Sequence, residues 1–182
     1  FLTRTAAIRN PRTRNEPNAP TLEGLKPEGA SSLRVIAWET TRRCNLDCVH
    51  CRASASMGAS EDELTTEEAR IMLRRIADRA KPLLILSGGE PLLRPDLFDL
   101  ARTASESGLR VVLATNATLL ERAHATAILD AGIKSVSVSL DGPDAETHDR
   151  VRMVPGAFER SRRGLGILRE AGIPFQINFT VC

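Results

Sequence analysis

From Leu33 onward the apolar residues come in short runs. Leu33–Glu39, Pro82–Ser87, Leu109–Thr115, Ser135–Leu140 and Phe175–Val181 are bounded by polar or glycine-bearing segments, the pattern of strands. Between them apolar positions recur every three or four residues, the period of a helix. Thr66–Ala80 is the clearest helix, with Ala69, Met72, Leu73, Ile76 and Ala80 on one face. Thr65 and Glu68 have the spacing of a capping box, which satisfies orphan amides at a helix start. Helices are also predicted at Pro95–Ser107, Leu120–Ala131 and Ala157–Ala171. Each of these three is followed by a glycine (Gly108, Gly132, Gly172), the residue that most readily adopts the left-handed backbone ending many helices.

Strand alternating with helix implies an α/β fold with a parallel sheet and right-handed crossovers. An eight-unit barrel takes about 250 residues, or about 31 per unit. Residues 33–182 then make about 4.8 units, matching the five strands. The expected fold is a partial (β/α) barrel truncated after the fifth strand. A cut there bares a sheet edge, so a continuation of the chain is expected.

Residues 1–32 show no apolar period and are rich in Pro, Arg, Asn, Glu and Gly; they read as a flexible N-terminal arm. Five basic and three acidic residues fall in this arm, leaving 20 of each in the remainder. A neutral folded part lacks the basic footprint of a nucleic-acid binder. With 42% hydrophobic and 26% charged residues, the chain has the composition of an ordinary globular domain. No apolar run reaches the roughly 20 residues that span a bilayer, so a soluble, cytoplasmic protein with no membrane partner is expected.

Three of the four cysteines lie within eight residues: Cys44, Cys48 and Cys51. Disulfide frameworks spread cysteines along a chain, whereas clustering points to metal in a reducing compartment. Thiolates suit iron–sulfur clusters or zinc. Three thiolates would hold three irons of a [4Fe–4S] cluster and leave one iron open, where four would close it. A zinc site with His50 as fourth ligand, and a helix stripe of buried thiols, are the alternatives. Other unusual polar residues fall at the predicted strand ends: Ser87-Gly88-Gly89-Glu90-Pro91, Thr115-Asn116-Ala117, Ser139 with Asp141-Gly142, and Asn178 with Thr180. Parallel α/β folds bind ligands at that end of the sheet.

The run Cys44-Asn45-Leu46-Asp47-Cys48-Val49-His50-Cys51 resembles the cluster loop of the radical S-adenosylmethionine (SAM) superfamily, and the later motifs recur in the family's order. The resemblance covers residues 33–182. It implies that the open iron of a [4Fe–4S] cluster binds SAM, which one electron cleaves to methionine and a 5′-deoxyadenosyl radical. It implies metal ligation by Cys44, Cys48 and Cys51. Cofactor contacts are implied at His50, Gly88, Gly89, Glu90, Asn116, Ser139, Asp141, Arg152 and Asn178. Glu90 would accept the SAM ammonium, Arg152 would pair with its carboxylate, and Asp141 would take the ribose diol. Two positions depart from the family pattern, since Ala117 and Met153 stand where glycine is common. If the turn at Ala117 needs a positive φ, alanine costs more there than glycine.

The segments Ala37-Trp38-Glu39-Thr40, Arg43–Leu46, His50–Ala53 and Glu63–Glu68 most resemble the anaerobic haem-synthesis decarboxylases acting on iron-coproporphyrin and their SPASM-type relatives. The implied reaction is oxidative decarboxylation of two propionates to vinyl groups. Arg42, Arg43 and Arg52 are candidate propionate partners or surface ion-pair residues. The implied accessories are a ferredoxin or flavodoxin donor and a second Fe–S cluster in the continuation. A peptide-modifying SPASM maturase and a non-catalytic zinc module are the other function classes. His124 reads as structural, and His148 as a loop or helix-cap residue.

Overall fold

The computed structural model describes residues 33–55, 57–58 and 63–180. The arm expected at 1–32 lies outside them, as do Val181 and Cys182. Five parallel strands pair in chain order: β1 (Val35–Thr41), β2 (Leu83–Gly88), β3 (Arg110–Thr115), β4 (Ser135–Ser139) and β5 (Phe175–Asn178). The sheet is open, with β1 and β5 at its edges. The helices are α1 (Thr66–Arg79), α2 (Leu97–Glu106), α3 (Arg122–Asp130), α4 (Ala145–Arg152) and α5 (Ala157–Glu170). A short 3-10 turn, Pro91–Leu93, follows β2.

All five predicted strands and four predicted helices are present; β1 and β2 run on to Thr41 and Gly88, past their predicted ends, and β5 stops at Asn178, three residues short of its predicted end. The Thr65–Glu68 capping box forms as expected: Glu68 N–H donates to Thr65 Oγ1, and Thr65 N–H donates to the Glu68 carboxylate. Helix α4 is the addition. Its sequence, Ala-Glu-Thr-His-Asp-Arg-Val-Arg, carries no apolar stripe for a periodic reading to find. Asp144 starts it, accepting from Thr147 N–H at 2.9 Å. His148, expected in a loop or cap, is a buried residue inside this helix.

One sheet face carries Leu84, Leu86, Val111, Leu113, Val136 and Val138, all without exposure. They pack on Leu73, Leu97, Leu100, Ile128 and Leu168 of the helices. Each fully buried side chain of this kind is worth about 1.5–3 kcal/mol, so this layer holds the strands in place. The opposite face turns polar toward β4 and β5, where Ser137 and Ser139 stand beside Gln176 and Asn178. Every residue of β5 is exposed.

Ala117 adopts φ 60° and Met153 φ 58°, both left-handed. The two non-glycine departures from the family pattern thus sit where the backbone favours glycine.

Candidate functional site

Because the sheet is parallel, the segments after each strand share one end, and the cysteine loop follows β1 there. Two contacts close the base of this excursion. Glu63 Oε1 accepts from Thr41 Oγ1 at 2.7 Å and from Arg42 N–H at 2.9 Å. Arg94 lies buried against Trp38 and donates to Thr40 O at 2.6 Å and Leu64 O at 2.8 Å, while Asp96 Oδ1 accepts from its Nε at 2.7 Å. Planar guanidinium donors suit such a fork of acceptors. The loop also rests on α4: Val49 N–H donates to Val151 O at 3.0 Å and Asp47 N–H to Arg152 O at 3.3 Å. Arg94 was not singled out from sequence, and Glu63 only as the first residue of a resembling segment, with no role attached.

The three thiols are free and graded in exposure, with Cys44 buried, Cys48 half-buried and Cys51 exposed. Sulfur acceptors are served locally. Leu46 N–H donates to Cys44 Sγ at 3.4 Å, Ala55 N–H to Cys51 Sγ at 3.4 Å, and Arg152 Nη1 to Cys48 Sγ at 3.5 Å. Burial pushes the Cys44 thiol up from its ordinary range, and the charges of Glu90, Cys48 and Cys51 add to the effect. A bound cation would reverse this, since metal binding takes the thiolate. Among the described residues no three His, Cys, Asp or Glu side chains are gathered as a single ion would require. Three soft thiolates with N–H donors at their sulfurs fit an iron–sulfur cluster, whose potential such hydrogen bonds adjust.

The Gly-Gly-Glu segment packs against the start of this loop. A Cβ on Gly88 would lie 2.3 Å from Thr41 O, and one on Gly89 2.3 Å from Arg43 O. Gly89 N–H donates to Thr41 O at 2.8 Å and Glu90 N–H to Arg43 O at 2.7 Å. The close approach these glycines permit is therefore chain against chain. Glu90 is fully buried. Its Oε1 accepts from Thr115 Oγ1 at 2.7 Å and Leu92 N–H at 3.1 Å, and its Oε2 from Asn116 N–H at 2.8 Å. Desolvation pushes its carboxyl up, opposed by these donors and by the charge of Arg152. A carboxylate accepts about four hydrogen bonds, so one position on Oε2 stays open.

Asn116 is buried and tied to the cysteine loop. Its Nδ2 donates to Asn45 Oδ1 at 3.0 Å, and its Oδ1 accepts from Thr118 N–H and Oγ1 at 2.9 and 2.7 Å. Asp141 Oδ2 pairs with the Arg152 guanidinium, 2.8 Å from Nη2, and stands 3.3 Å from His50 Nε2, yet accepts no hydrogen bond within good geometry. Its Oδ1 accepts from Thr180 N–H at 3.0 Å. Arg152 keeps its Nε buried without an acceptor, and His50 its Nδ1 without a partner. His148 Nδ1 accepts from Asp141 N–H at 3.1 Å. Burial, reinforced by the Arg152 charge, lowers the pKa of this imidazole and favours its neutral form. Asn178 Nδ2 donates to Ser137 Oγ at 2.7 Å, and Ser139 stands beside it in register. His124 Nδ1 accepts from Glu121 N–H at 3.1 Å and so caps α3.

Three thiols, a buried carboxylate and a buried guanidinium thus meet at the carboxyl end of a parallel sheet. The model of the radical SAM superfamily matches residues 38–181. The chain belongs to the radical SAM superfamily. An AdoMet-dependent heme synthase of Methanosarcina barkeri (strain Fusaro / DSM 804) is 54% identical over 81% of this chain and 42% of its own length. The Fe-coproporphyrin III synthase of the same organism is 44% identical over 81% of this chain and 36% of its own. The chain thus spans about two-fifths of the length of these relatives. Among solved structures, anSMEcpe with bound AdoMet and Cp18Cys peptide matches with a TM-score of 0.63 and 25% identity, over 81% of this chain and 42% of that one. Among the described residues no helix is long and apolar enough to cross a membrane.

Proposed function

We propose that this chain carries the cofactor end of a radical SAM enzyme that decarboxylates tetrapyrrole propionates oxidatively in haem biosynthesis. The observation that carries the reading is the three-thiol loop held by N–H donors beside buried Glu90 and Arg152. Cys44, Cys48 and Cys51 would hold a [4Fe–4S] cluster, which when bound supplies the electron that cleaves SAM. Glu90 offers its remaining Oε2 position to the SAM ammonium, and a cation there relieves the desolvation of the buried carboxylate. Arg152 presents its unpartnered Nε to the SAM carboxylate. Asp141 has one free lone pair on Oδ1 for the ribose diol, and His50 a face for the adenine. Gly88, Gly89 and Asn116 act from behind by fixing Glu90 against the loop. Ser139 and Asn178 line the polar inner face of the sheet beside them.

The tetrapyrrole reading is supported by the 54% and 44% identity to enzymes named for haem and iron-coproporphyrin chemistry. Arg42, Arg43 and Arg52 form no ion pair among the described residues, so three cations beside the loop are free for propionates. The peptide-bound neighbour, at 25% identity, supports a peptide substrate less strongly. The whole reaction also calls for an electron donor of the ferredoxin or flavodoxin class. The test is anaerobic turnover of the reconstituted protein with a low-potential reductant, SAM and iron-coproporphyrin. Loss of two carboxyl groups with formation of 5′-deoxyadenosine is expected. SAM cleavage with no change in the porphyrin would refute the substrate assignment alone.

A further inference from the structure

Asn45 sits between Cys44 and Leu46 and has no role in any of the chemistry above. Its amide closes a ring with two residues beyond β3. The polarity of that ring is dictated by one backbone donor. Thr118 N–H can only donate, so the Asn116 atom it meets at 2.9 Å is Oδ1. Asn116 Nδ2 must then face Asn45, whose Oδ1 accepts it at 3.0 Å. Asn45 Nδ2 in turn donates to Thr118 Oγ1 at 2.8 Å, and that hydroxyl passes its own proton to Asn116 Oδ1 at 2.7 Å. Every link joins a donor to an acceptor, and chains of this kind reinforce one another away from water.

The ring is anchored on both sides. Asn116 O accepts from Ser161 Oγ of α5 at 2.8 Å, and Asn116 N–H donates to Glu90 Oε2 at 2.8 Å. Thr115, one residue earlier, donates to Glu90 Oε1 at 2.7 Å. Beside the direct bond from Glu90 N–H to Arg43 O, a second path therefore joins Cys44 to the Glu90 carboxylate through Asn45 and Asn116, with Thr118 closing the ring. Thr118 is 2% exposed and Asn116 6% exposed, so the links between these two are shielded from solvent, while Asn45 is half-buried.

We propose that Asn45 and Thr118 are positioning residues that lock the cysteine loop to Glu90, so that the cluster ligands and the ammonium acceptor are held at one fixed separation. The proposal rests on the radical SAM reading above for what the two sites bind. The hydrogen bonds of the lock involve only residues of this chain.

Two measurements separate these layers. The first is hydrogen exchange of the amides of residues 44–49 in the iron-free chain. The second is the SAM dissociation constant of the cluster-loaded protein. Thr118→Val removes two links at constant shape and should raise both exchange and dissociation constant about tenfold, the effect of one or two buried hydrogen bonds. Thr118→Ser restores the hydroxyl and should restore both values. Asn45→Ala removes both links that Asn45 makes and should behave as Thr118→Val does; it carries the test if the valine variant fails to fold. In a Glu90→Gln background the SAM penalty of Thr118→Val should largely vanish, because both changes act on the same carboxylate. Parent-like exchange and SAM affinity in both single variants would overturn the lock. So would a SAM penalty of full size in the Glu90→Gln background. A parent protein that takes up no cluster and binds no SAM would refute the radical SAM reading, while the exchange measurement would still judge the lock.

Discussion

Gly89→Ala tests how the Gly-Gly-Glu segment is held. A Cβ there would lie 2.3 Å from Arg43 O, 2.8 Å from Arg43 C and 3.0 Å from Arg42 O. All three neighbours are backbone atoms, so no side chain can swing aside. Gly89 also lacks a left-handed φ, so alanine is not strained by its own backbone and the effect isolates the contact. Reaching ordinary contact at 3.4 Å needs the two segments to part by roughly 1 Å. The Glu90 N–H to Arg43 O bond, now 2.7 Å, would open beyond hydrogen-bond range. Overpacking costs about 1–3 kcal/mol and a stranded buried N–H about 1–3 kcal/mol. A destabilisation of about 2–6 kcal/mol is therefore expected in urea unfolding of the iron-free chain. Iron uptake should fall as well, because Arg43 adjoins Cys44. A variant that unfolds at the parent's urea midpoint and loads iron equally would refute the packing argument.

Three further outcomes are expected. Burial raises the Glu90 carboxyl above its ordinary 4.5, so the folded chain holds the proton more tightly than the unfolded chain. The associated stability is complete below 4.5 and is lost as pH rises through the higher folded value. Glu90→Gln should remove that slope in iron-free protein, and parallel pH profiles for parent and variant would contradict it. Met153→Gly should raise stability by about 0.5–1 kcal/mol, because Met153 is exposed and left-handed; an unchanged or lower unfolding midpoint would count against it. Cys44→Ala, Cys48→Ala and Cys51→Ala should each abolish cluster uptake, whereas Cys182→Ala should spare it, as read by iron and sulfide content.

The strands and four of the helices were legible because burial on a sheet or helix face leaves a period in the sequence. Leu84, Leu86, Val111 and Leu113 are examples. Helix α4 was not, since Ala145–Arg152 is held by the Asp144 cap and by the loop it supports rather than by an apolar stripe. The cysteine spacing is the signal on which the proposed metal chemistry rests, and the structure supplies the condition left open at Ala117, whose φ of 60° is left-handed. Thr118 and Arg94 were silent, and Asn45 and Glu63 stood inside resembling motifs with no role assigned. Polar residues signal only when their types form a known pattern, and these act through partners 22 to 73 positions away. Gly88 and Gly89 were expected from sequence as cofactor contacts, where glycine lets backbone approach a ligand closely. Here it is the chain that approaches.

If Cys44, Cys48 and Cys51 hold a cluster whose open iron takes SAM, the cluster must respond to SAM. The most direct measurement is electron paramagnetic resonance of the anaerobically reconstituted, reduced protein, recorded with and without SAM and paired with metal analysis. The expected result is about four iron and four sulfide per chain and a spectrum that changes when SAM is added. Stoichiometric zinc with no iron uptake, or an iron cluster whose spectrum ignores SAM, would contradict it.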